Sequence, residues 1–570
     1  MIIGIHDGLD SGTALIKDGK ILRAVNEERF TQEKNEASFP FHSINWITKD
    51  LENEVFDVAL AWISGSALIR RIFPGYENKR RLIWRRKIGK PSRFYMYLRN
   101  FFFPIFQDNK PRFFLNNIAK LGKYFVLRRL KKLKIKNIFL LDHHLCHAAS
   151  AYYTSGFDPC LIITLDGSGD GLSGSICVGK NGKIERIKEF PANVSLGILY
   201  GAVTYALDMK YSEDELKVMS LAPYSYSIEI PELDKIISVK DGNLIGKLPV
   251  RYELLLAEWI KNHLLWKYGR EALAYGIQRH LEKCVCEIVR KAIDETGIKD
   301  IALAGGIFSN VILNMAIRKL PEVRNVFVFP HMGDGGLAAG AALLLDYELN
   351  KSYKKEQIKD VYLGPEFSNE DIEKELLENR DKIKFEERSD ISEYVADFIL
   401  NEKIVLWFQG RMEYGPRALG NRSILSPAWS KKCKDELNLI IKRRPYFQPF
   451  CPTILEEDAN KLLEDYDNKP NRFMTMAYIV REDFLKEMEA VTHIDRTTRP
   501  QMLLDENPRY RKVLEKIKKK TGTGTILNTS LNKHGYAIVC TPKQAIWTLL
   551  NSGAKYIAIG DFFVEKLANN

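Results

Sequence analysis

The chain has 570 residues, 45% hydrophobic and 28% charged, with 37 Gly and 22 Pro; this is an ordinary globular composition, too long for one hydrophobic core, so two or three domains are expected. The net charge of +12 is uneven: residues 66–136 carry about 21 Lys or Arg against 2 acids, leaving the rest mildly acidic. No apolar run reaches the ~20 residues of a membrane span, the opening MIIGIHDG has no basic n-region, and the eight cysteines show no paired CxxC spacing, so a cytoplasmic protein with buried thiols is expected.

In chain order, MIIGIHDG, GTALIKDG and KILRAVNEERF read as three short strands, with a small-residue loop at Asp10-Ser11-Gly12 and an Asp18-Gly19 turn. A hairpin of this kind brings backbone N–H groups toward a phosphate. After the basic stretch, IKNIFLLD reads as a strand and HHLCHAASAYY as the helix after it; LIITLDGSGDG is a buried strand ending in a glycine-rich acidic turn. SGSICVGKNGKIERIKEF is strand–turn–strand around Asn181-Gly182, a helical stretch spans 255–297, and IALAGG and VFVFPHMGDGG are strands running into glycine turns and helices. Both halves of residues 1–350 therefore repeat strand, Gly-rich turn, helix, the layout of a duplicated nucleotide-binding α/β domain with ligand at the strand ends. The polar stretch 350–360 reads as a linker. Residues 361–570 mix helices (ISEYVADFILN, TPKQAIWTLLNSG) with strands (KIVLWF, MTMAYIV, TGTILN, YIAIGDFFV), a second α/β domain.

Two constellations can carry chemistry. His143 and His147, four apart at a helix start, turn their rings to one side; with Asp166 and Asp334, each in an Asp-Gly turn, they make an N2O2 set for a borderline metal. Taken alone, two such histidines more often cap a helix or pack in the core, the turn 166–171 equally suits a surface hairpin, and Gly305-Gly306 also suits plain helix–strand packing. His144 points elsewhere. In the C-terminal half, Gly-Pro-Arg-Ala-Leu-Gly (415–420) with Arg417, then Lys442-Arg443-Arg444, Arg499 and Asn528-Thr529-Ser530 offer cations beside turns, suited to a polyanion or to plain solvated surface.

At these motifs the chain closely resembles the O-carbamoyltransferases of nodulation and antibiotic biosynthesis, of the tobramycin carbamoyltransferase type. The resemblance runs through EERFT (27–31), DHHLCHAASAYY, LDGSGDG, KVMSLAPY, LAGGIFSNVILN, FPHMGDGGLAAGAAL, GPRALGNRSIL, VTHIDRTTRPQ and LNTSLN, in one order over nearly the whole chain. It implies an actin/Hsp70-like, threonylcarbamoyl-transferase-like N-terminal domain (1–350) and a C-terminal α/β domain (361–570) like the enzymes that make threonylcarbamoyl adenylate. It further implies that the C-terminal domain makes carbamoyl adenylate from carbamoyl phosphate and ATP, with Mg2+, and that the N-terminal domain passes the carbamoyl group to a hydroxyl of a small molecule or glycan.

Carried onto this chain, the resemblance makes His143, His147, Asp166 and Asp334 ligands of a divalent metal, iron. It makes Lys34, Asp166, Gly167, Ser168, Gly169, Asp170, Gly197, Gly305, Gly306 and Asn310 the adenylate pocket of the first domain. Arg417, Lys442, Arg444, Arg499, Asn528 and Ser530 become the binding set for ATP and carbamoyl phosphate in the second. Asp7, Asp10 and Lys34 are the candidate catalytic residues. Two departures stand out: relatives place in the first loop a His that deprotonates the acceptor, where this chain has Leu9 followed by Asp10, with His6 nearby; and Gln448-Pro449-Phe450 replaces Arg-Pro-Phe. Loss of a positioned base typically costs about 10²–10⁴-fold, which keeps a weakened family member acting as a binding protein as one alternative, and a tRNA-modifying relative as another. A hydrogenase-maturation relative is disfavoured by the missing CxxC pairs.

The basic stretch 66–136 interleaves charge with aromatics (Arg85-Arg86-Lys87, Phe94-Tyr95, Phe101-Phe102-Phe103, Arg128-Arg129). It reads first as a solvated helical subdomain, next as a peripheral anchor on an anionic membrane, and last as a nucleic-acid surface, for which no recognised module is present. Homo-oligomerisation stays open.

Overall fold

The computed structural model describes residues 1–63, 71–73, 78, 92–94, 96–97, 112–250 and 252–567, with the backbone alone for 112–120. These form two units: Met1–Glu27 with Asn35–Ile358, and Glu28–Lys34 with Lys359–Asn570. Of the basic stretch, Arg85, Arg86, Lys87, Tyr95 and residues 101–103 lie outside the described residues. No described helix is long and apolar enough to cross a membrane, and all eight cysteines are buried thiols.

The first unit is built on two five-stranded sheets. Strands β1 (Ile2–His6), β2 (Gly12–Lys17), β3 (Lys20–Asn26), β4 (Val55–Ala61) and β5 (Lys134–Leu141) lie in the order β3-β2-β1-β4-β5. Strands β6 (Cys160–Gly169), β7 (Leu172–Lys180), β8 (Lys183–Pro191), β9 (Asp300–Ala304) and β10 (Asn325–Val328) repeat it as β8-β7-β6-β9-β10. In each, an antiparallel meander supplies three strands and the other two run parallel to the first. The two sheets thus repeat one topology, as the duplicated α/β layout of the sequence leads one to expect. The central strands are buried along their length, as in Ile2–His6 and Cys160–Leu165, because helices cover both faces, so their sequences read as continuous apolar runs.

Among the helices of the unit, five bear on the site: α1 (His143–Ser155), α2 (Leu196–Ala206), α3 (Arg270–Thr296), α4 (Val311–Arg318) and α5 (Leu337–Asn350). Helix α5 packs on β1 and β2, α1 packs on β6 and β9, and the two helices pack on each other between the sheets. The approach is close enough to require glycine. A Cβ at Gly4 would lie 1.8 Å from the Ala338 carbonyl oxygen, and one at Gly340 would lie 1.9 Å from that of Cys146. The helical stretch expected over 255–297 is present with one interruption: Glu253–Ile260 runs into a π turn, and Gly269, at φ 83°, redirects the chain before α3.

The second unit is one eight-stranded mixed sheet. Its strands are β11 (Ile383–Glu387), β12 (Val405–Phe408), β13 (Arg422–Pro427), β14 (Cys451–Leu455), β15 (Gln501–Leu503), β16 (Thr525–Ser530), β17 (Tyr556–Ile559) and β18 (Phe562–Lys566), ordered β11-β18-β17-β12-β13-β16-β14-β15. Helices α6 (Ile391–Leu400) and α7 (Pro508–Thr521) bury Val395, Ile399, Val513 and Ile517 against Trp407, Leu455 and Ile526. Helix α8 (Pro542–Asn551) starts with a capping box of Thr541 and Gln544. YIAIGDFFV is a hairpin of two strands, turned at Gly560 (φ 55°), and MTMAYIV contributes only the two-residue strand Tyr478–Ile479.

Residues 28–34 depart from the expected division: they group with the second unit, although the chain on either side belongs to the first.

Candidate metal centre and anion site

The carboxyl ends of the parallel strands in the first unit converge on one site. Strand β5 ends at Leu141, and Asp142 then caps α1, its side chain accepting from Leu145 N–H. The His143 N–H donates to Asp170, as does the Ile63 N–H after β4. This start places His143 and His147 one turn apart, their rings 4.8 Å apart edge to face. Asp166 comes from the end region of β6, and Asp334 from the turn before α5.

The donor atoms fit a metal ion. His143 Nε2 lies 3.4 Å from Asp166 Oδ2 and 3.8 Å from Asp334 Oδ1; His147 Nε2 lies 3.9 and 3.6 Å from the same atoms. Ligands about 2.1 Å from a tetrahedral ion sit about 3.4 Å from one another, so one ion at the centre would be in bonding range of all four. Among the described residues the ring nitrogens of His143 and His147 and Asp334 Oδ1 are buried without a hydrogen-bond partner, a costly condition that a cation relieves. Burial alone would depress the His147 imidazole, but Asp166 and Asp334 outweigh it and push it up to about 9. Burial, with Asp166 beside it, raises Asp334, whereas the two imidazoles override burial and hold Asp166 well below the usual carboxylate range. His144 is a different residue electrically: burial, with the neighbouring histidines, lowers it to about 3, and its ring bonds Thr164 and the Leu172 carbonyl. It is structural.

The glycines around the cluster differ in purpose. A Cβ at Gly169 would strike the His143 ring at 2.2 Å, one at Gly197 would meet the Asp166 carbonyl oxygen at 2.7 Å, and one at Gly305 (φ 107°) would meet that of Leu165 at 2.1 Å. At Gly167 and Gly333 a Cβ would meet nothing within 4 Å. Ser195 ties the loop to α2 by donating to the Gly167 carbonyl at 2.6 Å, and Gly306 N–H reaches Asp166 Oδ1 at 3.2 Å. Ser168 is half-buried in β6.

Several expected ligand-binding residues have other work. Asp170 is committed to the two N–H groups above, and burial raises its carboxyl; it staples β4 to α1. Asn310 caps α4 and exchanges hydrogen bonds with Gln278 in the core. Asp7 is 3% exposed and ion-paired at 2.8 Å with Arg71, itself 1% exposed, which also donates to the Trp62 carbonyl. So placed, Asp7 orients Arg71 and Trp62 rather than standing open as a base. His6 is buried and bonds the Leu9 carbonyl, bracing the first turn. Asp10 is the acid that remains partly exposed: Asn26 donates to its Oδ1, and its Oδ2 lies 3.7 Å from His331 Nε2, which also contacts Asn26 Oδ1 at 2.8 Å. The sequence reading passed over His331; its place three residues before Asp334 was the available signal. Trp62, at φ 109° and edge-on to His143 at 4.7 Å, was also missed, and nothing in its neighbours marked it.

In the second unit, Arg417, Lys442, Arg444 and Arg499 gather where β14 begins and β16 ends. Glu413 builds the loop carrying Arg417, its Oε1 accepting from Leu419, Asn421 and Arg422 N–H groups. Arg499 donates to Cys451 Sγ at 2.9 Å, and Arg444 to Thr529 Oγ1 at 3.4 Å, with its guanidinium over the Phe450 ring. Burial, then Arg499, push Arg417 down to about 9; burial pushes Arg444 down to about 10. Guanidiniums stay charged in proteins, so these shifts express crowded, desolvated cations that an anion would stabilise. Arg417 Nε and Arg499 Nε have no hydrogen-bond partner among the described residues. Lys442 is held differently: Nζ donates to Ser530 and, at 2.6 Å, to Asn532 Oδ1, while burial, Arg444 and Lys34 lower it well below the usual range. Asn528 donates to Ala418 O, Thr453 Oγ1 and Gln501 Oε1, so it frames the site. Lys34, expected in the first unit's pocket, groups with this unit instead.

Comparison with known proteins assigns both parts of the chain to one family. Residues 1–343 match the model described as the carbamoyltransferase N-terminus, and residues 396–566 that of the carbamoyltransferase C-terminus. An uncharacterized protein of Methanocaldococcus jannaschii, MJ1058, is 37% identical over 79% of this chain and 78% of its own length. The nodulation protein NolNO of Sinorhizobium fredii is 31% identical over 99% of this chain and 79% of its own. The 3'-hydroxymethylcephem-O-carbamoyltransferase of Streptomyces clavuligerus is 29% identical over 52% and 54%. With the N-terminal model covering more than half its length and the C-terminal model following in order, this chain belongs to the carbamoyltransferase family and is a transferase.

Proposed function

We propose that the protein is an ATP-dependent O-carbamoyltransferase. In this reading the second unit forms carbamoyl adenylate from carbamoyl phosphate and ATP, and the first unit passes the carbamoyl group to a hydroxyl of a small molecule or glycan. The observation that carries the reading is the four-donor cluster of His143, His147, Asp166 and Asp334, beside the open backbone at Gly167 and Gly333, in a chain of this family. The relatives named for cephem O-carbamoylation support a hydroxyl acceptor.

The second unit's residues supply binding and charge neutralisation. Arg417, Arg444 and Arg499 face a polyanion with donors already desolvated, as phosphoryl chemistry requires. Mass balance requires that phosphate and pyrophosphate both leave, with water consumed at carbamoyl phosphate and the carbamate oxygen replacing pyrophosphate at the α-phosphorus. Mg2+ would accompany ATP.

In the first unit, His143, His147, Asp166 and Asp334 would hold a divalent ion, iron in this reading, and when bound it would supply Lewis-acid polarisation of a carbonyl and anchorage for phosphate. Gly167 and Gly333 leave room for the adenylate, and Gly306 orients Asp166. The acceptor oxygen bonds to the carbamoyl carbon as AMP departs, and the hydroxyl proton needs an acceptor. Asp10, next to His331, is the group offered here in place of the histidine that Leu9 replaces.

The test is incubation with ATP, carbamoyl phosphate, Mg2+ and iron(II), followed by assay of pyrophosphate and an acceptor screen for the mass gain of one carbamoyl group. Pyrophosphate formed only when both substrates are present is the expected result; its absence refutes the adenylation reading.

A further inference from the structure

The chain leaves the first unit after Glu27 and returns to it at Asn35, and the residues between, Glu28–Lys34, are built into the second unit. Their contacts are specific. Arg29 is 4% exposed, pairs with Glu28 at 2.9 Å, and donates to the Gly415 carbonyl at 2.7 Å. Gly415, at φ 140°, opens the Gly-Pro-Arg-Ala turn, and Arg417 follows two residues later. Gln544, from the capping box of α8, donates to the Arg29 carbonyl; Gln32 donates to that of Ile538; and Phe30 packs against Met412, Ile538 and Cys540.

The Arg417 loop is therefore held from two directions. Glu413 gathers the N–H groups on its far side, and Arg29 fixes the carbonyl at its start. A buried, charged donor on one backbone oxygen is among the stronger ways to hold a loop in one geometry. Lys34 ends the segment.

We infer that Arg29 is a positioning residue for Arg417, so that the second unit's anion site is held in shape by a segment from the N-terminal sequence. The inference rests on the reading of that site as one for ATP and carbamoyl phosphate. It explains why the EERFTQEK stretch belongs to one unit in sequence and to the other in packing. The contact of Arg29 with the Gly415 carbonyl sets where Arg417 sits.

The full-length protein tests this with Arg29→Ala, Arg29→Lys, Arg417→Ala and the double variant Arg29→Ala/Arg417→Ala. Pyrophosphate formation would be followed against each substrate, with Tm measured in parallel. The expected result is a KM for one anionic substrate raised about 5–20-fold by Arg29→Ala and partly restored by Arg29→Lys, which keeps a charged donor. Arg417→Ala would add less on the Arg29→Ala background than alone, because the two act through one contact. Additive effects, or a lowered Tm with unchanged KM, overturn the positioning role. Should wild type form no pyrophosphate, the adenylation reading fails, and ATP titration by calorimetry decides alone: equal Kd in wild type and Arg29→Ala overturns the inference.

Discussion

In the first unit two carboxylates and two imidazoles meet with their donors aimed inward, whereas in the second three guanidiniums and a lysine crowd together, none of them ion-paired to an acid among the described residues. Each arrangement is costly for a protein alone, since buried polar groups lacking partners and buried like charges both destabilise. The sign of the shortfall differs, and so does the ligand that would cancel it: a cation with coordinating capacity in one, a phosphate-bearing anion in the other. Contrast within each unit shows that burial by itself does not cause this. Asp7 is as buried as the metal cluster but paired with Arg71, and Arg422 is fully buried but donates to the Gln409, Gly410, Asn421 and Pro365 carbonyls. Those two have protein partners for their charge, though Arg422 Nε, like Arg417 Nε, makes no hydrogen bond among the described residues.

The comparison breaks most visibly at the metal cluster. His143→Ala or Asp334→Asn should abolish bound metal, measured by elemental analysis, and lower carbamoyl transfer by about 10³-fold, while pyrophosphate formation by the second unit persists. Loss of both half-reactions together would merge the two sites functionally. Next in size, Asp7→Ala leaves Arg71 buried and unpaired and should cost about 3–5 kcal/mol in urea unfolding. The double variant Asp7→Leu/Arg71→Met should recover most of it, which the metal cluster would not do under similar replacement without losing metal.

In the second unit, Arg499→Ala should raise KM for ATP or carbamoyl phosphate about 10–100-fold, equivalent to about 1.5–3 kcal/mol for a charged hydrogen bond, with Tm held or raised because a repelling cation is gone. Arg422→Ala should do the reverse, lowering Tm through four lost carbonyl contacts. The smallest effect is in pH. His147 in the folded, metal-free protein is raised to about 9 against about 6.5 unfolded. Its stabilisation is therefore complete below about pH 6.5 and lost as pH rises through about 9. Chelator-treated protein should lose several degrees of Tm over that range, and metal-loaded protein should not, because metal then replaces the proton.

Much of this was legible along the chain. Strand runs, glycine turns and the i, i+4 histidines follow from local periodicity and turn chemistry, which act over a few residues; they sufficed for the repeated α/β layout, and with the resemblance they pointed to the residues that the structure gathers as a candidate cluster, His143, His147, Asp166 and Asp334. Arg417, Arg444 and Arg499 were legible as cations beside turns. Less legible were residues whose role depends on a partner far away in sequence: Asp7 through Arg71, Asn310 through Gln278, Asp170 through Ile63 and His143, Asp10 through Asn26 and His331. No periodicity encodes those distances.

Sequence by itself thus determined the family-wide blocks and the duplicated order of strands and helices, since each is a local pattern, and through the resemblance it pointed to the four residues of the candidate metal cluster. Tertiary structure alone decided which acid is committed and which stays partly open, and which glycines are packing necessities and which leave room. It also decided that residues 28–34 serve the second unit. The physical reason is common to all three: burial and hydrogen-bond satisfaction are properties of what surrounds a side chain, and the chain order does not contain them.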